Sequence, residues 1–165
     1  MDATSTDPAT GGNLTTNART SDCELVVTRW VNAPAGLVYQ AWTTPALLQV
    51  WWAPKSFGIT LVSCEVDART GGRCRFVFAH PAAEGTMAFF GTYLEVIPDA
   101  RLVWTNEESP DGPVSTVTFT QTDGATRIVL HERYPSKAAL DEALASGSTG
   151  AWPEQFEALD VLLAG

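Results

Sequence analysis

Glu132 is the residue in this sequence best placed to do chemistry. It lies in the β-rich run Thr126 to Tyr134, just after Asp123-Gly124, a strong two-residue turn signal. Pairing Val114–Gln121 with that run about the turn puts Phe119 opposite Ile128, Val117 opposite Leu130 and Ser115 opposite Glu132. The other face carries Thr116, Thr118, Thr120, Arg127 and His131 and reads as solvent-facing. Glu132, with Tyr134 after it, therefore continues the apolar face inward. A carboxylate there loses hydration and its pKa rises. Such a group can hold a polar ligand atom or act as a general acid or base. The competing reading puts it at a strand end, reaching solvent or pairing with an arginine. His80 shares the alternation of Phe76 and Phe78 and is the candidate catalytic partner of Glu132. It also adjoins Pro81, where an exposed loop histidine is the plainer reading.

A second cluster, Glu65, Asp67, Arg73 and Arg75, resembles a catalytic site but reads as structure. Phe57–Asp67 and Arg73–His80 flank the turn Ala68–Gly72. With Asp67 opposite Arg73, Glu65 meets Arg75 on one face. On the other face Val66 meets Cys74, Cys64 meets Phe76 and Val62 meets Phe78. That register makes the charges a solvent-side ladder contributing roughly 0–1 kcal/mol per pair.

Other chemistries have weak support. The three cysteines, Cys23, Cys64 and Cys74, are an odd, scattered set and read as free thiols. Cys64 and Cys74 become diagonal neighbours roughly 7–8 Å apart, a poor distance for a disulfide. With two histidines and no CxxC spacing, we expect no metal site. No phosphate loop, dinucleotide fingerprint or GxSxG elbow is present, so no cofactor is expected. The net charge of −9 argues against nucleic acid and anionic lipid as partners. The sequence has no apolar run long enough for a membrane span and no signal peptide, so a cytoplasmic protein is expected.

These residues need a frame to hold them. At 165 residues and 45% apolar content the chain suits one domain. Residues 1–22 are too polar to offset the entropy of folding and read as a disordered tail, leaving a domain over 23–165. Cys23–Val31 reads as a strand. Ala33–Trp42 and Thr44–Trp52 read as two short helices, each with a proline near its start and the second stopped by Pro54. Trp51 and Trp52 cannot both face one core from a regular helix; we lean towards Trp51 as the anchor and Trp52 nearer any ligand space. Met87–Ile97, Arg101–Asn106 and the 114–134 hairpin continue the strands. Ser136 caps a short helix with Leu140 and Leu144, and a last helix runs from about Thr149 to Leu163. The reading is α+β. Consecutive strands on short turns make a curved antiparallel sheet of about six to seven strands, gripping a long C-terminal helix whose stripe is Trp152, Phe156, Leu159 and Leu163.

Several stretches, in this order and spacing, carry a family resemblance. They are Ala33-Pro34 with Leu37–Trp42, Thr43–Leu48 with Trp51-Trp52 and Pro54, Cys64–Asp67, Gly71-Gly72-Arg73 with Arg75-Phe76, Gly91 with Tyr93–Val96, Arg101–Thr105, Thr126-Arg127, Tyr134–Ser136, and Trp152 with Leu159 and Leu162. The chain resembles the START-like (SRPBCC) superfamily with the helix-grip fold, in the bacterial branch related to the C-terminal domain of the heat-shock-chaperone ATPase activator. The resemblance covers residues 23–164. It departs from the family pattern at Ala53, Cys74 and Ala151, where the family carries glycine, an aromatic residue and glycine. The resemblance implies an apolar cavity between sheet and last helix that binds a small hydrophobic molecule. Its expected lining is Trp42, Trp52, Phe76, Phe78, Phe90, Trp104, Phe119, Leu130, Glu132, Trp152, Phe156 and Leu159. For Phe90 a one-residue slip after the 81–86 loop would reverse the face. Two alternatives accompany this reading: a cavity enzyme of cyclase, dehydratase or hydrolase type using Glu132 and His80, and a co-chaperone-like interaction module. We expect no chaperone partner, because the partner domain carried by those activators is not in this sequence.

Overall fold

The computed structural model describes residues 15–164. Eight strands form one curved, unclosed antiparallel sheet: β1 (Thr16–Arg19), β2 (Glu24–Val31), β3 (Thr60–Val66), β4 (Arg73–Ala79), β5 (Thr86–Ile97), β6 (Arg101–Thr105), β7 (Val114–Thr122) and β8 (Ala125–Arg133), in the order β1-β2-β8-β7-β6-β5-β4-β3. Two short helices, α1 (Ala35–Thr43) and α2 (Pro45–Trp51), follow β2; α3 (Lys137–Ser146) and α4 (Trp152–Ala164) end the chain. The architecture is the α+β arrangement expected from the sequence, with one strand more.

That strand lies inside the stretch read as a disordered tail, which is corrected here for Thr16–Arg19; residues 1–14 fall outside the described residues. All four residues of β1 are exposed. The strand is held by backbone pairing to β2 from Thr16↔Thr28 to Arg19↔Leu25, by the Asn17 amide donating to the Thr149 carbonyl at 3.3 Å, and by an Arg19–Asp141 ion pair at 2.7 Å. No apolar face is buried, so composition carries no signal of it.

The β7–β8 hairpin has the register that its turn dictates. Asp123 adopts φ 59°, and Phe119 meets Ile128, Val117 meets Leu130 and Ser115 meets Glu132. In the β3–β4 hairpin Glu65↔Arg75, Val66↔Cys74 and Cys64↔Phe76 also pair as expected. A bulge between Leu61 and Ser63 then shifts the register, so Leu61 rather than Val62 opposes Phe78, and Val62 is exposed. The ion pairs formed by this charged cluster are Arg69–Asp67 at 2.9 Å and Arg73–Glu107 at 3.5 Å.

The core sits between the concave face of the sheet and the helices. Trp51, Val38, Leu48, Val117, Ile128, Leu130, Phe156 and Leu159 are fully buried there. The helix ends follow simple rules. Pro45 occupies the first turn of α2, where its missing N–H costs nothing, and the Ser136 hydroxyl caps α3 by accepting from the Ala139 amide at 3.1 Å. Arg29, on the inner face of β2, is 4% exposed and is joined to Asp160 of α4 by an ion pair, which ties the last helix to the sheet. Gly91 lets β5 approach β6 closely: a Cβ there would stand 1.8 Å from the Thr105 carbonyl oxygen.

Candidate functional site

Across the middle of the sheet, Tyr93 of β5, Trp104 of β6, Ser115 of β7, Glu132 of β8 and Leu25 of β2 pair in one row on the concave face. Below the neighbouring row, Leu102, Val117, Leu130 and Val27, the interior is solid. On the other side it opens into a cavity of about 380 Å³.

Two aromatic walls and a polar end define the cavity. Phe76 and Phe78 of β4 and Trp104 of β6 form the sheet side, while Trp52 and Trp152 form the helix side. Trp52 stacks on Phe76 with ring centroids 5.4 Å apart and meets Trp152 edge-on at 5.7 Å. The segment after α2 is pinned over α4: the Ser56 backbone amide donates to Glu154 at 2.8 Å and the Gln155 amide donates to the Trp52 carbonyl. Phe57, Met87 and Phe89 also border the space, and they are 45%, 51% and 41% exposed, which places its mouth beside them.

The polar end is a short hydrogen-bond chain. Asn106, on the loop after β6, donates to the Pro113 carbonyl at 2.7 Å and to the Ser115 hydroxyl at 3.1 Å. Ser115 donates to Glu132 Oε2 at 2.9 Å. Glu132 Oε1 has no hydrogen-bond partner among the described residues. The residue is 9% exposed, and burial pushes its carboxyl above the usual carboxylate range, against the opposing pull of the Ser115 hydroxyl. Burial likewise raises the Tyr134 phenol, reinforced by Glu132. The Cys74 thiol, also at the cavity wall, is pushed up to about 11, which leaves it protonated and a poor nucleophile at neutral pH. Among the described residues no three His, Cys, Asp or Glu side chains gather as metal ligands.

The expected lining residues divide into two groups. Trp52, Phe76, Phe78, Trp104, Glu132 and Trp152 border the cavity with inward side chains, while Phe90 borders it from a strand position whose side chain faces the other way. Phe119, Leu130, Phe156 and Leu159 face inward but are packed in the solid part of the core, a correction to their expected place in the lining. Trp42 is corrected too. It contacts Trp51, Trp52, Trp104, Phe119, Trp152 and Phe156, and borders only a void of about 10 Å³ beside the cavity. Phe90 pairs with Arg75, so by strand alternation its side chain takes the opposite face; Phe89, opposite Phe76 and edge-on to Phe78 at 5.5 Å, holds the inner position. Trp51 is fully buried with its indole N–H donating to the Ala41 carbonyl at 2.9 Å, while Trp52 borders the cavity.

His80 does not join Glu132. It lies just beyond β4, with three strands between that strand and β8, where its Nδ1 accepts from the Ala82 amide at 2.9 Å and its ring lies against Gly58. The residue pairing with Glu132 is Ser115, which the strand register alone places. Asn106, Thr149 and Gln155 also border the space, and they come from loops and helix starts whose approach to the sheet no local pattern encodes.

The family described as activator of Hsp90 ATPase homolog 1-like protein matches residues 32–164. No curated protein matches the chain. Among solved structures, a Rhodobacter sphaeroides protein is 24% identical with a TM-score of 0.83, covering 92% of this chain and 98% of its own. A Nitrosomonas europaea protein is also 24% identical, with a TM-score of 0.79 and coverage of 88% and 97%. An AHSA1-like protein from Aeromonas hydrophila, solved in solution, is 19% identical with a TM-score of 0.68, covering 83% and 93%. At these identities the likeness is one of fold.

Proposed function

From the chain's membership of the activator of Hsp90 ATPase homolog 1-like family, whose fold commonly encloses hydrophobic ligands, we propose that this protein binds a small, mostly apolar molecule in the cavity between sheet and C-terminal helix. The observation that carries this reading is the cavity itself. Its volume lies at the lower end of the range for small-molecule sites, its walls are aromatic, and its few polar groups converge at one end. Plain core packing would have filled the space between Trp52, Phe78, Trp104 and Trp152, as it fills the space around Phe156. None of the helices among the described residues is long and apolar enough to cross a membrane.

The test is titration with N-phenyl-1-naphthylamine, an uncharged fluorescent probe. Saturable binding of about one probe per chain, with energy transfer from the cavity tryptophans, is expected. Absence of saturable binding would count against the reading.

A second reading is favoured by one observation, the desolvated Glu132 carboxyl facing the same space. A carboxyl whose pKa is raised by burial keeps its proton to higher pH than an exposed one and can pass it to a bound molecule, as acid-catalysed cyclisation or dehydration requires. His80 is too remote to serve, so the chemistry would rest on Glu132 with Ser115 and Asn106 fixing its orientation.

A further inference from the structure

The cavity has a one-sided charge inventory. Among the described residues its lining includes two carboxylic acids, Glu132 and Glu108, and not one lysine, arginine or histidine. Glu108 stands at the loop end, accepting from the Phe90 amide at 3.2 Å. Glu132 lies deeper, with one oxygen bonded to Ser115 and the other without a partner among the described residues. The groups packed around it supply no positive charge from within the cavity. Ser115 and Tyr134 are neutral, Leu25 on the neighbouring strand is apolar, and Asn106 is an amide. His131 is adjacent in sequence, but its ring is engaged with Glu24 on the opposite face at 2.7 Å.

A largely desolvated carboxyl with a single hydrogen bond is costly to ionise, and a partner cation reached through the cavity offsets that cost. The wall nearest the carboxyl favours the same partner, because Trp104 pairs with Ser115 beside Glu132 and an indole ring attracts ammonium groups. The chain's net charge of −9 adds a long-range bias towards cations. A carboxylate-headed molecule such as a fatty acid meets the reverse: two acids and no counter-ion.

We infer that the ligand is a lipophilic amine, with its protonated nitrogen on Glu132 Oε1 and its apolar body along Trp52, Phe76 and Phe78. This rests on the binding reading above and names the chemical class it selects. The experiment compares three size-matched compounds, n-octylamine, 1-octanol and octanoate, by displacement of N-phenyl-1-naphthylamine at pH 7 and by calorimetry. Octylamine is expected to bind at least tenfold more tightly than octanol, with octanoate weakest. Glu132→Gln, which keeps an acceptor for Ser115, is expected to bring octylamine down to the level of octanol. Equal binding of amine and alcohol, or a preference for octanoate, overturns the inference while leaving the apolar cavity reading intact. Failure of all three to displace the probe overturns the cavity reading and this inference together.

Discussion

The Ser115 hydroxyl donates to Glu132 Oε2 at 2.9 Å, and both residues are buried on neighbouring strands at the polar end of an otherwise aromatic cavity. This bond holds the carboxyl in place but does not restore the hydration it has lost. Desolvation outweighs it, so the folded-state pKa of Glu132 lies above its unfolded value.

That sign fixes how stability depends on pH. The folded chain retains the Glu132 proton where the unfolded chain has released it. This contribution is fully present below the unfolded pKa and is lost as pH rises through the folded one. Glu132→Gln removes the ionisation and keeps an acceptor for Ser115. The variant is therefore expected to melt higher than wild type near pH 8, by roughly 2–4 °C for each kcal/mol recovered. The difference should shrink to near zero at about pH 4, where a model glutamate is half protonated. Thermal melts of both proteins across this range check it; a constant offset would mean the carboxyl is not desolvated.

Ser115→Ala leaves Glu132 without its donor and Asn106 with only the Pro113 carbonyl. A lost hydrogen bond to a buried, potentially charged group costs about 1–3 kcal/mol. The same substitution in a Glu132→Leu background should cost less, because there is no longer an acceptor to abandon. A double-mutant cycle by urea unfolding is expected to give a coupling of roughly 0.5–3 kcal/mol. Zero coupling would show that the two side chains do not depend on each other.

How much of this was legible in the sequence varies from strand to strand. The inward course of Glu132 followed from one turn, Asp123-Gly124, and strict alternation through Val117, Phe119, Ile128 and Leu130, because a hairpin with a tight turn has a single register that buries its apolar face. The bulge at Leu61–Ser63 left no such mark, since either Leu61 or Val62 satisfies an apolar position opposite Phe78. The edge strand β1 was invisible for a different reason: it is held by backbone pairing and two polar contacts, which are insensitive to hydropathy. Within the site, alternation identified which residues face inward but not where the interior is filled. Phe119, Leu130, Phe156 and Leu159 have the same pattern as Phe76 and Phe78. The distinction is made by Trp42 and the helix pair, through long-range packing with no local signature.

Trp51 and Trp52 are neighbours with opposite duties. Trp51 is fully buried and hydrogen-bonded to Ala41, so Trp51→Ala is expected to cost roughly 3–5 kcal/mol, as large core truncations do. Trp52 already borders open space. Trp52→Ala should cost visibly less in urea unfolding while weakening N-phenyl-1-naphthylamine binding more than any loss of stability explains. Reversal of this order would place the ligand space on the wrong side of α2.

Trp42 is expected to set the length of the cavity. It borders the void of about 10 Å³, which shares Trp52, Cys74, Phe76 and Trp104 with the main space. Its indole nitrogen is buried without a hydrogen-bond partner among the described residues, so shortening the side chain removes one unsatisfied donor along with the packing. Trp42→Leu should therefore destabilise by less than the roughly 3–5 kcal/mol of a full truncation to alanine. It should also join the two spaces. In a series of 1-alkanols from hexanol to dodecanol, wild-type affinity is expected to level off at a shorter chain than that of the variant, each further buried methylene otherwise adding about 0.8 kcal/mol. The same plateau in both proteins would mean that the far wall is formed by other residues, with Trp42 as core packing alone.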